Sequence, residues 1–203
     1  LDDAGTMALA SITEDDTGNA GQTVASIIAS AGGDRITDAD AGAVEGIAIT
    51  ATNGGNGTWQ YSIDGGGSWS AVGAVADASA LLLRAGDLVR FVPDGLNATS
   101  ADFSFRAWDQ TSGSQGTKVD ASSHGGVTAF STATETAAIV VTAVNDAPVL
   151  DNAGTMTLAS IGEDDTAGVG QTVASIIASA GGYRITDADA RAVEGIAITA
   201  LNN

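Results

Sequence analysis

The chain has 203 residues, room for one or two domains, with 44% hydrophobic residues, a formal net charge of −18 and no cysteine. That charge excludes nucleic acid and anionic membrane as partners, because phosphate must be met by Lys and Arg. The missing thiols exclude disulfides and thiolate metal sites.

Glycine is abundant (27), aromatic residues are few (three Trp, two Tyr, four Phe) and Lys118 is the single lysine. This profile suits a β-rich, turn-rich protein more than a helical one. Such an excess of acid on a foldable chain calls for bound cations, the competing reading being an acidic surface that serves solubility alone. No signal peptide and no apolar run near 18 residues occurs, so no membrane insertion is expected in this segment. The chain begins without Met and in mid-pattern, which reads as a piece of a longer polypeptide.

A shift of 149 residues aligns 1–53 with 150–202, and 44 of these 53 positions are identical. We therefore expect one complete repeat, 1–149, followed by the N-terminal part of a second, 150–203. The changes at Thr13/Gly162, at 18–20 against 167–169 and at Asp34/Tyr183 mark expected loops. Short β-branched or alternating runs predict strands near 7–12, 46–52, 57–63, 68–73, 80–84, 88–93, 101–109 and 127–144. In ADFSFRAWD, Phe103 and Phe105 alternate with Ser104 and Arg106. NGGNGT (53–58) and DGGGS (64–68) read as hairpin turns. In TVASIIASAGG the spacing of Val24, Ile27 and Ile28 predicts a helix of about two turns, with Thr23 as N-cap and Gly32-Gly33 as its end.

No catalytic constellation emerges. His124, the one histidine, sits in SSHGG with no nucleophile elbow, P-loop or dinucleotide fingerprint elsewhere, so no enzyme is expected. The run GGNG at 54–57 begins like a calcium-binding nonapeptide but occurs once and reads as a turn. SIDGGGSW (62–69) has the Asp-box pattern of Ser62, Asp64, Gly66, Ser68 and Trp69. It predicts a hairpin in which Asp64 bonds turn N–H groups and Trp69 packs beneath. Asn97-Ala98-Thr99 matches a glycosylation sequon by pattern alone.

The carboxylates recur in groups. Glu14-Asp15-Asp16 returns as Glu163-Asp164-Asp165, and Asp38-Ala39-Asp40 returns as Asp187-Ala188-Asp189. Asp109 closes the strand FSFRAWD, and Asn145-Asp146 lie at the joint between copies. A D-x-D pair can direct two carboxylates at one ion while Asn and main-chain carbonyls add neutral oxygen. Calcium takes six to eight such hard oxygens, whereas zinc wants His or Cys. Taken singly, each group has an ordinary alternative as a turn or a helix cap.

AVNDAPV (143–149), EDD (14–16), DAD (38–40) and RFVPDGLNATSADFSFRAWDQTSG (90–113) together resemble the cadherin-like tandem repeats of very large bacterial surface proteins and adhesins. The resemblance covers essentially all of 1–150 and continues through the second copy. It implies an all-β, Greek-key cadherin- or immunoglobulin-like β-sandwich with one short helix, in tandem repeats joined by Ca²⁺ at the linkers. By position, Asn145 and Asp146 are the implied linker ligands, with Glu14 from the first repeat and Asp187 and Asp189 from the second. Asp38, Asp40 and Asp109 serve the equivalent joint before residue 1, and Asp15 and Glu163 complete the implied metal set. Animal cadherins carry D-x-N-D-N at the linker, where this chain has Ala143 and Ala147, and no clear D-R-E element lies between 53 and 100. Fewer ions per joint are therefore implied.

The expected role is a non-enzymatic, calcium-stiffened structural or adhesive repeat, extracellular at a bacterial surface, whose partners are adjacent repeats or identical subunits. A filament or matrix subunit built by strand complementation and a carbohydrate-binding module using Trp59, Tyr61 and Trp69 are the alternatives. Because a third of a sandwich cannot bury its own apolar face, limited proteolysis is predicted to remove 150–203 well before it cuts 1–149. Equal protection of the two segments would contradict this.

Overall fold

The computed structural model describes residues 1–201 other than Ala4, Asp34 and Ala41, so the expected loop position at Asp34 lies outside the described residues. The protein is mostly β-strand in several sheets with two short helices. It divides into two compact units, Leu1–Val144 and Asn145–Asn203. In the first unit β1 (Met7–Ala8), β2 (Ile12–Thr13) and β3 (Gln22–Thr23) precede helix α1 (Val24–Ala29). Then follow β4 (Gly46–Asn53), β5 (Gly57–Ser62), β6 (Ser70–Ala71), β7 (Ala80–Arg84) and β8 (Leu88–Pro93). β9 (Thr99–Trp108), β10 (Lys118–Val119) and β11 (Glu135–Thr142) complete it. One sheet runs β1-β11-β9-β4-β7-β10 with β2 also on β11, and the other runs β3-β8-β5-β6.

Alternation puts one face of each sheet into a shared core, an all-β sandwich. Ile47, Ile49, Leu81, Leu83, Phe103, Phe105, Ile139 and Val141 come from the larger sheet, and Trp59, Val89 and Phe91 from the smaller. Trp59 joins the two. Its ring lies edge-on to Phe91 at 5.2 Å and to Phe103 of the opposite sheet at 5.1 Å, while its Nε1–H donates to the Asn53 carbonyl at 3.0 Å. Helix α1 forms as the spacing predicts: Thr23 Oγ1 accepts from the Ser26 amide, and Val24, Ile27 and Ile28 are buried.

The larger sheet is covered on its outer face too, where Ala48, Ala80, Leu82, Trp108, Ala121 and Phe130 form a second cluster. The cover is an excursion between β9 and β11, and it corrects the strand expected over 127–144. Regular pairing in that region begins only at Glu135, opposite Phe105. Upstream, the Ser131 hydroxyl accepts from the Ala107 amide and donates to the Ala133 carbonyl. The buried Arg106 guanidinium donates to the Ser131 and Thr132 carbonyls and pairs with Asp77. Those bonds occupy the groups that a continued ladder needs.

Three further expectations are adjusted. NGGNGT is not a hairpin: β4 and β5 belong to different sheets, so the turn carries the chain across the sandwich. Thr13 lies in β2 rather than in a loop. The predicted strand over 68–73 shortens to β6, whose pairing with β5 makes DGGGS a true hairpin.

The second unit holds β12 (Val149–Leu150), helix α2 (Val173–Ala178) and β13 (Ile185–Thr186), with β12 and β13 antiparallel. Helix α2 repeats α1 down to its cap, Thr172 Oγ1 accepting from the Ser175 amide. Among the described residues no helix is long and apolar enough to cross a membrane.

Trp59 is nearly fully buried, whereas Trp69 is a partly exposed ring with the Arg90 guanidinium 4.0 Å above it. Urea unfolding followed by circular dichroism is therefore predicted to show a loss of about 3–5 kcal/mol for Trp59→Ala. For Trp69→Ala the loss is about 1 kcal/mol.

Candidate metal centre

Strand β2 pairs in parallel with β11, Ile12 opposite Val141 and Thr13 opposite Thr142. This pairing carries Glu14 to the end of the first unit. There its amide donates to the Thr142 carbonyl at 3.0 Å, and its Oε1 accepts from the Val144 amide at 2.6 Å. The side chain is 1% exposed, and Oε2 finds no hydrogen-bond donor among the described residues. A carboxylate oxygen buried in that way is costly unless a cation or donor meets it. Val144 was not legible as part of the site, since a backbone amide carries no residue-type signature.

The other acids of that motif do different work. Asp16 Oδ2 accepts from the Thr13 amide at 2.9 Å and shapes the turn, and Asp15 is exposed. Asp38 Oδ1 accepts from the Asp40 amide at 2.8 Å, and Asp109 Oδ1 accepts from the amide and hydroxyl of Thr111. Asp38, Asp40 and Asp109 line one cleft of about 850 Å³ together with Leu1, Trp108 and Phe130. With Glu45, which also lines it, its acids come from two distant stretches of sequence, brought together where β9 ends.

In the second unit the joint residues fold onto the D-x-D motif. Asp146 N–H donates to Asp189 Oδ2 at 2.9 Å, and Asp189 N–H donates to Asp187 Oδ1 at 2.8 Å. Asn145 Nδ2 donates to the Asp146 carbonyl, turning that side chain onto its own backbone. The pairings Val149–Thr186 and Leu150–Ile185 and the Asp151–Arg184 ion pair at 2.7 Å hold the two strands that position these acids. Asp187 adopts the same turn as Asp38, so the motif folds alike in both copies. Glu163, the counterpart of Glu14, is exposed.

Glu14, Asp146 and Asp189 each offer a carboxylate oxygen of the kind a metal ion takes. With carboxylate oxygens as the donors on offer, no cysteine, and one histidine placed elsewhere at position 124, the chemistry fits a hard cation rather than zinc. The orphaned Glu14 oxygen is the observation that favours a cation over a plain turn. Comparison with protein-family models, with curated proteins and with solved structures finds no match.

Asp64, by contrast, is fully used by its own hairpin. Oδ1 accepts from the Ser62 hydroxyl (2.7 Å) and the Ser68 amide (2.9 Å), and Oδ2 accepts from the Ser68 hydroxyl (2.7 Å). Gly66, at φ +94°, lets its amide reach Ser62 Oγ. The Ser62 hydroxyl above all, then Ser68, hold the Asp64 carboxyl well below the usual carboxylate range. A depressed folded-state value stabilises above the unfolded value and is lost as pH falls through the folded one. Asp64→Asn is therefore predicted to lower the melting temperature at pH 7, with the difference from wild type shrinking below pH ~4. A pH-independent difference would count against the hairpin role.

Proposed function

We propose that this chain is a non-enzymatic, calcium-stiffened repeat of an extracellular bacterial surface protein, of the cadherin-like Greek-key kind that AVNDAPV, EDD and DAD resemble. The observation that carries the reading is the buried Glu14 oxygen, without a hydrogen-bond donor among the described residues, at the end of a repeat whose acidic motifs recur. The Asp146–Asp189–Asp187 arrangement in the second unit supports it. On this reading the ligands at a joint are the E-D-D glutamate of the repeat before it, Asn145-Asp146 within it, and the D-x-D pair of the repeat after it. Without the ion these carboxylates repel one another and the joint flexes. With it, successive sandwiches extend a stiff tether at little cost in new information.

Aromatic side chains support this reading over a carbohydrate-binding one. Trp59 lies in the core, Trp69 lies beneath Arg90, and partly buried Tyr61 donates its hydroxyl to the Gly116 carbonyl.

Calcium at about 100 times its dissociation constant stabilises a single-site protein by ~2.7 kcal/mol, equivalent to ~5–10 °C in melting temperature for a chain of this size. Calorimetry is predicted to show a rise of that order in millimolar calcium over EGTA, cut sharply by Glu14→Gln and by Asp189→Asn. An identical melting temperature in calcium and in EGTA would remove the basis of the proposal.

A further inference from the structure

Four steps in this chain place Asn or Asp directly before glycine: Asn53-Gly54, Asn56-Gly57, Asp64-Gly65 and Asp94-Gly95. At such a step the main-chain nitrogen of the glycine can attack the side-chain carbonyl carbon, because no Cβ crowds the approach. The fold treats the four differently. Asp64 is held by Ser62 and Ser68, and Asp94 Oδ1 accepts from the Leu96 and Asn97 amides at 3.0 and 2.9 Å. Hydrogen bonds, from Ser62 above all in one and from the Asn97 side chain above all in the other, keep both carboxyls below the usual range. Each is ionised at neutral pH, and an ionised carboxylate offers no leaving group.

Asn56 keeps a neutral amide, but Nδ2 is turned to the Ala98 carbonyl at 3.3 Å. Its glycine is fixed as well, since Gly57 begins β5 where a Cβ would run into the Phe91 ring and the Val92 carbonyl. Asn53 differs on both counts. Its Oδ1 accepts from the Gly55 amide at 3.4 Å, an Asx turn whose closed ring contains both Asn53 Cγ and the Gly54 nitrogen. That bond is long, so the side chain is drawn forward without being locked. Gly54 lies outside the strands, and Asn53 is exposed to water.

We propose that Asn53 is a self-modifying site, losing its side-chain amide in the folded chain, and that the change loosens the sandwich. The Gly54 N–H gives its proton to water or hydroxide, and the nitrogen bonds to Asn53 Cγ. The Cγ–Nδ2 bond breaks, and Nδ2 leaves as ammonia after taking a proton from water. The product is a cyclic imide. Water opens it at Cγ to give aspartate, or at the main-chain carbonyl to give isoaspartate, in which the chain runs through the former side chain. The balance closes with water alone, so the outcome does not depend on the calcium reading.

The position makes the change matter. Asn53 ends β4 opposite Asp102, and its Nδ2 donates to Asp102 Oδ2 at 3.3 Å. Either product removes that donor and sets a second carboxylate against the first. Isoaspartate also lengthens the main chain by one carbon beside the carbonyl that accepts from Trp59 Nε1. Trp59 is the ring that joins the two sheets, so a chain that has aged in this way holds them less firmly.

Peptide mapping by mass spectrometry, on the full chain stored folded in mildly alkaline buffer, reads the reaction directly. Asn53 should convert to a mixture of aspartate and isoaspartate, with Asn56 about tenfold slower, a barrier difference of ~1.4 kcal/mol. In urea, where the fold no longer tells the two steps apart, their rates should converge. Asn56 converting as fast as Asn53 in the folded chain overturns the proposal, as does an Asn53 that survives in the folded chain while it converts in urea. Asn53→Asp supplies one product at the outset and should melt about 2–4 °C below wild type. An equal or higher melting temperature overturns the loosening.

Discussion

Strand β4 is hydrogen-bonded along both edges, to β7 on one side and β9 on the other, and the rest of the first unit depends on that double pairing. An interior strand has no solvent-facing edge, so its residues must satisfy two neighbours and two faces at once. Ile47 and Ile49 point into the sandwich, while Ala48 points the other way, where a small side chain lets Leu82 and Trp108 close over it. Gly46 begins the strand because Trp108 leaves no room for a Cβ. Without β4 the larger sheet falls into two pieces, β1-β11-β9 and β7-β10. The first 53 residues are thus the keel of the sandwich, although they read as its beginning.

Much of this was legible because it rests on local period. Phe103 and Phe105 alternate as a half-buried strand must, and Val24, Ile27 and Ile28 sit at helical spacing behind an N-cap. What was not legible depends on partners far along the chain. Arg106 reads as the polar side of an alternating strand, yet it is buried because Asp77 and two carbonyls near residue 131 receive it. The same bonds end the strand expected from residue 127. NGGNGT has the glycines of a hairpin, and Gly55 does sit at positive φ. Whether such a turn reverses the chain or crosses the sandwich is decided by β8, which takes β5 as its neighbour.

The candidate site divides in the same way. Carboxylates that recur with the repeat could be seen without any structure, and D-x-D folds into the same local turn in both copies. Neighbouring acids in one motif could not be told apart, since Asp16 and Glu14 differ only in what they meet. Asp16 meets an amide three residues back, in a turn that any short acid can make. Glu14 meets the backbone of residue 144, a contact 130 positions away in sequence, and keeps one oxygen buried beyond it. Its counterpart Glu163 shows how much that contact decides, for the same three-acid motif is exposed in the second unit.

The parallel pairing of β1 and β2 with β11 has a mechanical consequence. The first strands of this unit and its last strand run side by side in the same direction, bonded from Met7–Ala137 through to Thr13–Thr142. Tension applied at Leu1 and at Val144 therefore slides the strands along one another, and the bonds between them share the load. Were the terminal strands antiparallel neighbours joined at one end, the same force would peel them apart one bond at a time. The register of this sheet suits a protein that is pulled lengthwise.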